Sequence, residues 1–390
     1  MKELEYAILI MMMKNGVIIL NVLKKFNCYL IIISMILILS VPVYAKSPNI
    51  SGASGILMER NSGRILYKNN INKKLPMAST TKIMTALVAL ENGNLDDIVK
   101  IDKNSVGVEG SSIYLYKREK ISLEDLLYGL MLRSGNDSAV AIANHIGGSV
   151  DNFIKMMNKK AKKIGAYKTN FTNPHGLHNN NHYTTAYDLA LITRAAMKNK
   201  KFRDICKTKL WVSNREKNKY FYNKNKTLWQ YGGGDGVKIG YTRVAGRCLV
   251  SSATKDNMQL IAVVLNDYSW FNDCYNLFDY GFKNYTPMVI YSQDQYIRSI
   301  PICNGKKGYV PIVAGKDFII PLTDGEKGKI KTIIKSPENL NAPVSKGQKI
   351  GKIEAYLNGN LIGSAPLLTN RDIKEKGTFD KIMDYIKNIF

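Results

Sequence analysis

The chain has 390 residues, 45% of them hydrophobic and 22% charged, with 56 Lys and Arg against 31 Asp and Glu for a net charge of +25. That balance excludes a disordered polar chain, and the length allows two domains. The excess of positive charge suits anionic surroundings such as acidic wall polymers or lipid head groups.

Residues 1–45 stand apart. Lys24-Lys25 precede an apolar run from Tyr29 to Val41, and Val43-Tyr44-Ala45 is a small-x-small site before Lys46. This is the pattern of a secretory signal peptide, with an apolar segment too short to span a bilayer comfortably. Residues 7–23 are also apolar and keep an uncleaved anchor open, while Met11-Met12-Met13 offers a later start and a signal of conventional length. Without the four lysines and two glutamates of this segment the chain still carries +23. An exported chain with no recognisable nucleic-acid motif is a poor match for nucleic acid. Cys28 would leave with the signal; Cys206, Cys248, Cys274 and Cys303 are widely spaced without a CxxC pair and read as mostly buried thiols.

In chain order, Gly55–Arg60 and Arg64–Tyr67 flank Asn61-Ser62-Gly63 as a hairpin. A helix follows, with Ile83, Ala86, Leu87 and Leu90 on one face and Gly93 as its stop. Ser122 opens a second helix with a capping-box pattern; it runs through Leu126, Leu127, Leu130 and Met131 until Gly135 breaks it. Residues 137–147, 151–164 (with Gly165 as C-cap) and 185–197 are further helices, and 173–183 is a polar loop. Val237–Tyr241, Arg247–Thr254 and Met258–Asn266 form an antiparallel meander. Residues 285–370 alternate Ile, Val and Tyr with Gly, Pro and Lys and predict a small all-β domain after a main domain over 46–284. In the tail, 371–390, Phe379, Ile382, Met383, Ile386 and Phe390 form the apolar stripe of an amphipathic helix, suited to a membrane surface or to the protein itself.

The chemistry starts at Pro76-Met77-Ala78-Ser79-Thr80-Thr81-Lys82. Ser79 sits at a helix start and Lys82 one turn on, so both face the same way. A serine becomes a useful nucleophile when a base takes its proton, and a lysine in a dry, positive site can be that base. The helix start also offers free N–H groups to an oxyanion. Ser134-Gly135-Asn136 on an inter-helix loop and Lys238-Ile239-Gly240 on a strand follow in order. Ser-x-x-Lys, Ser-x-Asn and Lys-Thr-Gly are the signature of penicillin-binding proteins and serine β-lactamases.

With Asn173-Pro174-His175-Gly176-Leu177, Tyr183-Thr184-Thr185-Ala186-Tyr187-Asp188-Leu189-Ala190 and Asp235-Gly236-Val237, these motifs resemble the low-molecular-mass penicillin-binding proteins, the serine D-alanyl-D-alanine carboxypeptidase family. The resemblance is strong over residues 48–283 and looser beyond. It implies an α/β (α+β) transpeptidase-like domain with helices on an antiparallel sheet, working without cofactor or metal at the cell wall or the outer face of the cytoplasmic membrane. It also implies roles. Ser79 would attack the carbonyl between two D-alanines of a peptidoglycan stem peptide, with Lys82 as base. Ser134 and Asn136 would relay protons and hold the substrate amide. Lys238 would attract the terminal carboxylate and keep Lys82 neutral by repulsion, with Ile239 and Gly240 beside it on the strand. The N–H groups of Ser79 and Tyr241 would form the oxyanion hole, and β-lactams would acylate the same serine.

Ile239 departs from the usual threonine. Losing a hydroxyl that hydrogen-bonds the carboxylate would cost about 1.5–3 kcal/mol, which leaves room for a weak or inactive wall-binding relative. A class A β-lactamase needs a glutamate between the second and third motifs, and the only one there is Glu216, in an unrelated context. His175, His178 and His182 cluster, but Asn-Asn-Asn separates the last two and no general-base Glu accompanies them, so a metal enzyme is disfavoured.

Overall fold

The computed structural model describes residues 1–38 and 47–387. It divides into two units, 1–46 and 47–390. In the first, α1 spans Lys2–Ile38. The cleavage motif at 43–45 lies outside the described residues, as does Phe390 of the tail stripe.

The second unit begins with β1 (Ser54–Glu59) and β2 (Ile65–Asn69), an antiparallel hairpin. Its turn is closed by the Glu59 carboxylate, which accepts from the N–H groups of Asn61 and Ser62 at 2.7 Å each. A 3-10 turn, Ala78–Thr81, leads directly into α2 (Lys82–Asn92). The short ribbon of β3 (Ile98–Lys100) and β4 (Lys120–Ser122) precedes α3 (Leu123–Tyr128). Ser122 caps α3 by accepting from Asp125 N–H at 3.0 Å. The helix does not run on to Gly135 as expected: it widens into a π-turn at Gly129–Arg133, and Ser134 ends it at φ 65°. Next come α4 (Asn136–Gly147), α5 (Val150–Ile164), α6 (Ala186–Ala196) and α7 (Lys200–Lys207), with Ser149 and Thr185 capping α5 and α6 and Gly165 closing α5 at φ 93°. The helix α7 was not foreseen. A ribbon of β5 (Leu210–Val212) and β6 (Tyr220–Tyr222) and the single turn α8 (Thr227–Gln230) lead to the meander.

The meander is β7 (Gly234–Thr242), β8 (Gly246–Lys255) and β9 (Met258–Leu265). With the hairpin it forms one antiparallel sheet in the order β2-β1-β9-β8-β7, leaving β7 at an edge. Strands β1 and β9 are buried along their whole length, because both faces of the sheet are covered. One face packs on α2, α6 and their neighbours. The other packs on α9 (Trp270–Asn284), a helix the sequence reading did not separate from the strands around it. Buried positions Phe271, Cys274, Leu277, Phe278 and Gly281 line its inner side. Of the cysteines, Cys206, Cys248 and Cys274 are buried free thiols and Cys303 is exposed.

Beyond Tyr285 the chain is all β, as expected. Strands β10 (Thr286–Tyr291), β11 (Tyr296–Cys303), β12 (Tyr309–Ala314), β13 (Phe318–Leu322), β14 (Ile330–Lys335), β15 (Leu340–Asn341), β16 (Lys349–Leu357) and β17 (Asn360–Thr369) enclose their own core around Ile312, Ile320, Ile353 and Leu367. They form a pair β10-β13 and a sheet β14-β16-β17-β12-β11-β15. Arg64 joins this domain to the main one: its guanidinium donates to Pro321 O and to Glu326 Oε1 and lies 5.2 Å from the Tyr285 ring centroid. Last is α10 (Thr378–Lys387), with Phe379, Ile382 and Met383 exposed.

Candidate active site

Four segments meet at the Ser79 turn. The turn is held from inside by its own hydroxyls: Thr80 Oγ1 donates to Met77 O (2.6 Å) and Thr81 Oγ1 to Ala78 O (2.8 Å). Ala78 has φ 47°, a left-handed conformation unusual for a residue with a side chain. The loop 173–182 clamps that conformation. Gly176 approaches so closely that a Cβ there would fall 1.9 Å from Ala78 O.

Lys82 is fully buried, and its Nζ has three neighbours: Ser79 Oγ at 3.0 Å, Asn136 Oδ1 at 2.6 Å and His175 O at 2.7 Å. Burial holds its pKa well below the ordinary lysine value, with Lys238 and then Lys224 adding repulsion and the Asp137 carboxylate opposing them. Burial thus outweighs the Lys238 repulsion on which the sequence argument relied. The neutral amine has two N–H donors and one lone pair. The carbonyl oxygens of Asn136 and His175 can only accept. They take both N–H groups and leave the lone pair to the one neighbour that can donate, the Ser79 hydroxyl.

Asn136 is fixed from behind by donating Nδ2–H to Glu109 O. The π-turn and the left-handed Ser134 bring Asn136, rather than Ser134, into hydrogen-bond contact with Lys82. Ser134 is buried two residues away on the same loop. Asp137 ties down the facing loop, accepting from Ser112 Oγ at 2.6 Å and from the N–H groups of Ile113 and Leu115 at 3.1 Å.

The edge strand β7 forms the other wall. A Cβ on Gly240 would lie 2.9 Å from Ser79 N and 3.0 Å from Thr80 N, so only glycine lets the strand pass this close. Lys238, buried on this strand, donates to Ile239 O at 3.0 Å, and burial with repulsion from Lys224 lowers its pKa to about 7. Ile239 is half-buried and packs into the apolar layer between the sheet and α9. Tyr241 is exposed. The site is therefore a base-poised serine beside a glycine-lined edge, with lysines ready for an anion.

Comparison with known proteins agrees with this geometry. The family model of D-alanyl-D-alanine carboxypeptidases matches residues 42–269 and that of the penicillin-binding protein 5 C-terminal domain matches 285–375. The chain is 34% identical to the D-alanyl-D-alanine carboxypeptidase DacF of Bacillus subtilis (strain 168), covering 83% of this chain and 86% of the relative. The chain belongs to the D-alanyl-D-alanine carboxypeptidase family. It is 33% identical to DacC of Escherichia coli (strain K12) over 87% of this chain and 89% of that one. Among solved structures, penicillin binding protein 5 from Haemophilus influenzae superposes with a TM-score of 0.70 at 34% identity, covering 85% of this chain and 100% of that one.

The carboxypeptidase motifs did not disclose the support given by the histidine loop. The buried His182 accepts from Thr172 N–H at Nδ1 (3.0 Å), which assigns its proton to Nε2; that proton is donated to Thr81 Oγ1 at 2.7 Å. Burial lowers the pKa to about 4, so the ring is neutral near pH 7 and buttresses the serine turn. His175 contributes its carbonyl to Lys82, and its ring, lowered by burial to about 3, accepts from Leu177 N–H at 3.2 Å. His178 is exposed beside Asn180 at 3.1 Å. No group of three or more metal-ligating side chains occurs among the described residues.

Proposed function

We propose that this protein is an exported serine carboxypeptidase that removes the terminal D-alanine from peptidoglycan pentapeptides through an acyl-enzyme on Ser79. The observation that carries this reading is the buried Lys82 Nζ 3.0 Å from Ser79 Oγ, with the Asn136 and His175 carbonyl oxygens as its two other neighbours. Ser79 Oγ attacks the carbonyl of the penultimate D-alanine while its proton passes to Lys82. The oxyanion is met by the N–H groups of Ser79 and Tyr241. As the C–N bond breaks, the proton moves from Lys82 through Ser134 to the departing D-alanine nitrogen. Water then attacks the ester and gives a proton to Lys82, which passes it to the Ser79 oxygen as the ester bond breaks, restoring the serine hydroxyl and the neutral amine and leaving a tetrapeptide. Asn136 anchors Lys82 and faces the substrate amide. Lys238 and Gly240 receive the terminal carboxylate at the strand edge, with Ile239 supplying packing in place of a hydroxyl.

A penicillin presents a strained amide and a carboxylate to the same groups, so the protein is inhibited by acylation. Glu216 is exposed and stands far from the pattern of a deacylating base, which favours a carboxypeptidase over a β-lactamase. Residues 1–45 act as the export signal, and the exposed apolar side chains of α10 make peripheral contact with the outer leaflet. Incubation with a labelled penicillin followed by peptide mass spectrometry tests the reading. A single adduct on the Ser79 peptide, lost in Ser79→Ala, is expected; an adduct elsewhere, or none on the folded protein, contradicts it.

A further inference from the structure

Positive charge also gathers around the turn between α6 and α7. On one side a cavity of about 500 Å³ is lined by Lys160, Lys163, Arg194 and Lys198, with Glu91 as its one acid. On the other, a cavity of about 420 Å³ is walled by Arg60, Lys200, Arg203 and Lys207, with Asp204 and Asp235. The acids are already engaged. Glu91 holds Lys160 at 2.5 Å, and Asp204 holds Lys200 and Lys207 at 2.9 Å each. Asp235 accepts from Ser252, Thr254 and Gln259 at 2.5, 2.5 and 2.7 Å. Among the described residues this leaves Lys163, Arg194, Lys198, Arg60 and Arg203 without a carboxylate in ion-pair contact.

The two guanidinium groups of the second cavity are drawn together by a shared acceptor: Arg60 and Arg203 both donate from Nη1 to Met197 O, at 3.2 and 2.7 Å. Arg60 Nε is buried with no hydrogen-bond partner at all. Arg203 also donates to Lys198 O at 3.0 Å, linking the two cavities across the turn. Partial desolvation at the rim of the recess, then the neighbouring cations Arg194 and Lys160, lower the pKa of the otherwise exposed Lys198, and Lys316 from the β domain feels Arg194 and Lys198 in the same way. The Glu59 carboxylate, with Asp235 at Arg60, offsets part of this repulsion at Arg60, Arg194 and Lys316, and the remaining excess of positive charge favours an anion in the space.

We propose that these two cavities form one binding site for a soluble polyphosphodiester, the phosphate-repeating class of anionic wall polymer, lying across the α6–α7 turn. Arg194 already donates from Nε to Arg60 O and from Nη2 to Asn61 O, at 2.7 and 2.8 Å, so the guanidinium N–H groups left over by the backbone carbonyls are the ones that match the oxygens of a phosphodiester. Two cationic cavities on either side of one turn suit a repeating anion better than a single one. The cations line recesses that a flat bilayer would not enter, and a membrane face would present exposed apolar anchors instead. The site would hold the protein against the wall independently of chemistry at Ser79, so its test does not depend on the carboxypeptidase reading.

The test measures binding of the full-length protein to a labelled, soluble poly(glycerol phosphate) at several salt concentrations. Lys163 and Lys198 are exposed, so Lys163→Gln/Lys198→Gln leaves the fold intact. This double variant should weaken binding roughly tenfold and flatten the slope of log K against log salt by about one to two. Lys329→Gln/Lys346→Gln removes the same charge from exposed positions of the β domain and should leave binding within about twofold. Equal loss in both pairs would overturn the site in favour of net charge alone. Equal binding of poly-glutamate would overturn the phosphodiester assignment. Tighter binding to anionic phospholipid vesicles, lost in the first double variant, would assign the surface to a membrane instead.

Discussion

Two buried lysines have opposite duties in the proposed reaction: Lys82 must be neutral to accept a proton, and Lys238 charged to attract a carboxylate. Burial presses on both, and Lys238 titrates near pH 7 rather than at the ordinary 10.5. It is therefore charged below about pH 7 and neutral above it. With a D-Ala-D-Ala peptide, kcat/KM should decline as pH rises through this range, through KM rather than kcat. Lys238→Gln should remove that alkaline limb and lower kcat/KM near pH 6 by roughly ten- to hundredfold. An unchanged limb in the variant would contradict the assignment. The same shift makes stability rise with pH from about 7 to 10.5, because there the unfolded chain keeps a proton that the folded one has released. That Ser79, Lys82 and Asn136 come together was legible because the motifs tie residue type to spacing. The His175 carbonyl and the His182 buttress were not, since a backbone carbonyl carries no side-chain signal and His182 acts through Thr81, one position removed from the motif.

At the scale of elements, close approach of β7 to the Ser79 turn is what makes a site of the two. Gly240→Ala places a methyl 2.9 Å from Ser79 N and must push the edge strand outward. We expect penicillin acylation to slow by roughly a hundredfold while the melting temperature falls only a few degrees, about 1 kcal/mol of overpacking. A variant that unfolds outright, or one that acylates normally, would show that the contact is not the one described. The hairpin, the meander and most helices followed from period and punctuation. The π-turn did not, because nothing in Gly129–Arg133 distinguishes it from ordinary helix. Helix α9 was missed for another reason. Its aromatic and Asn-rich sequence has modest helix propensity and no side-chain cap, and it is stabilised by burial of one face against the sheet.

Across the whole molecule, the change of composition near Tyr285 marked the second domain, yet the way it is attached could not be read. Arg64 sits in the hairpin of the main domain, and its partners Pro321 and Glu326 are more than 250 residues away. Arg64→Ala should lower stability by about 1–3 kcal/mol, because it strips a largely buried ion pair. Limited proteolysis near residue 285 should accelerate while D-alanine release stays near wild type. Unchanged proteolysis would mean that other contacts hold the domains together.

Whether Ser79, activated by Lys82, opens a D-Ala-D-Ala bond is decided by the free D-alanine released from a peptide ending in D-Ala-D-Ala, measured beside Ser79→Ala. Wild type should release it steadily and the variant not at all, with both proteins equally folded. Release that persists in Ser79→Ala, or none from folded wild type, would rule out the serine mechanism.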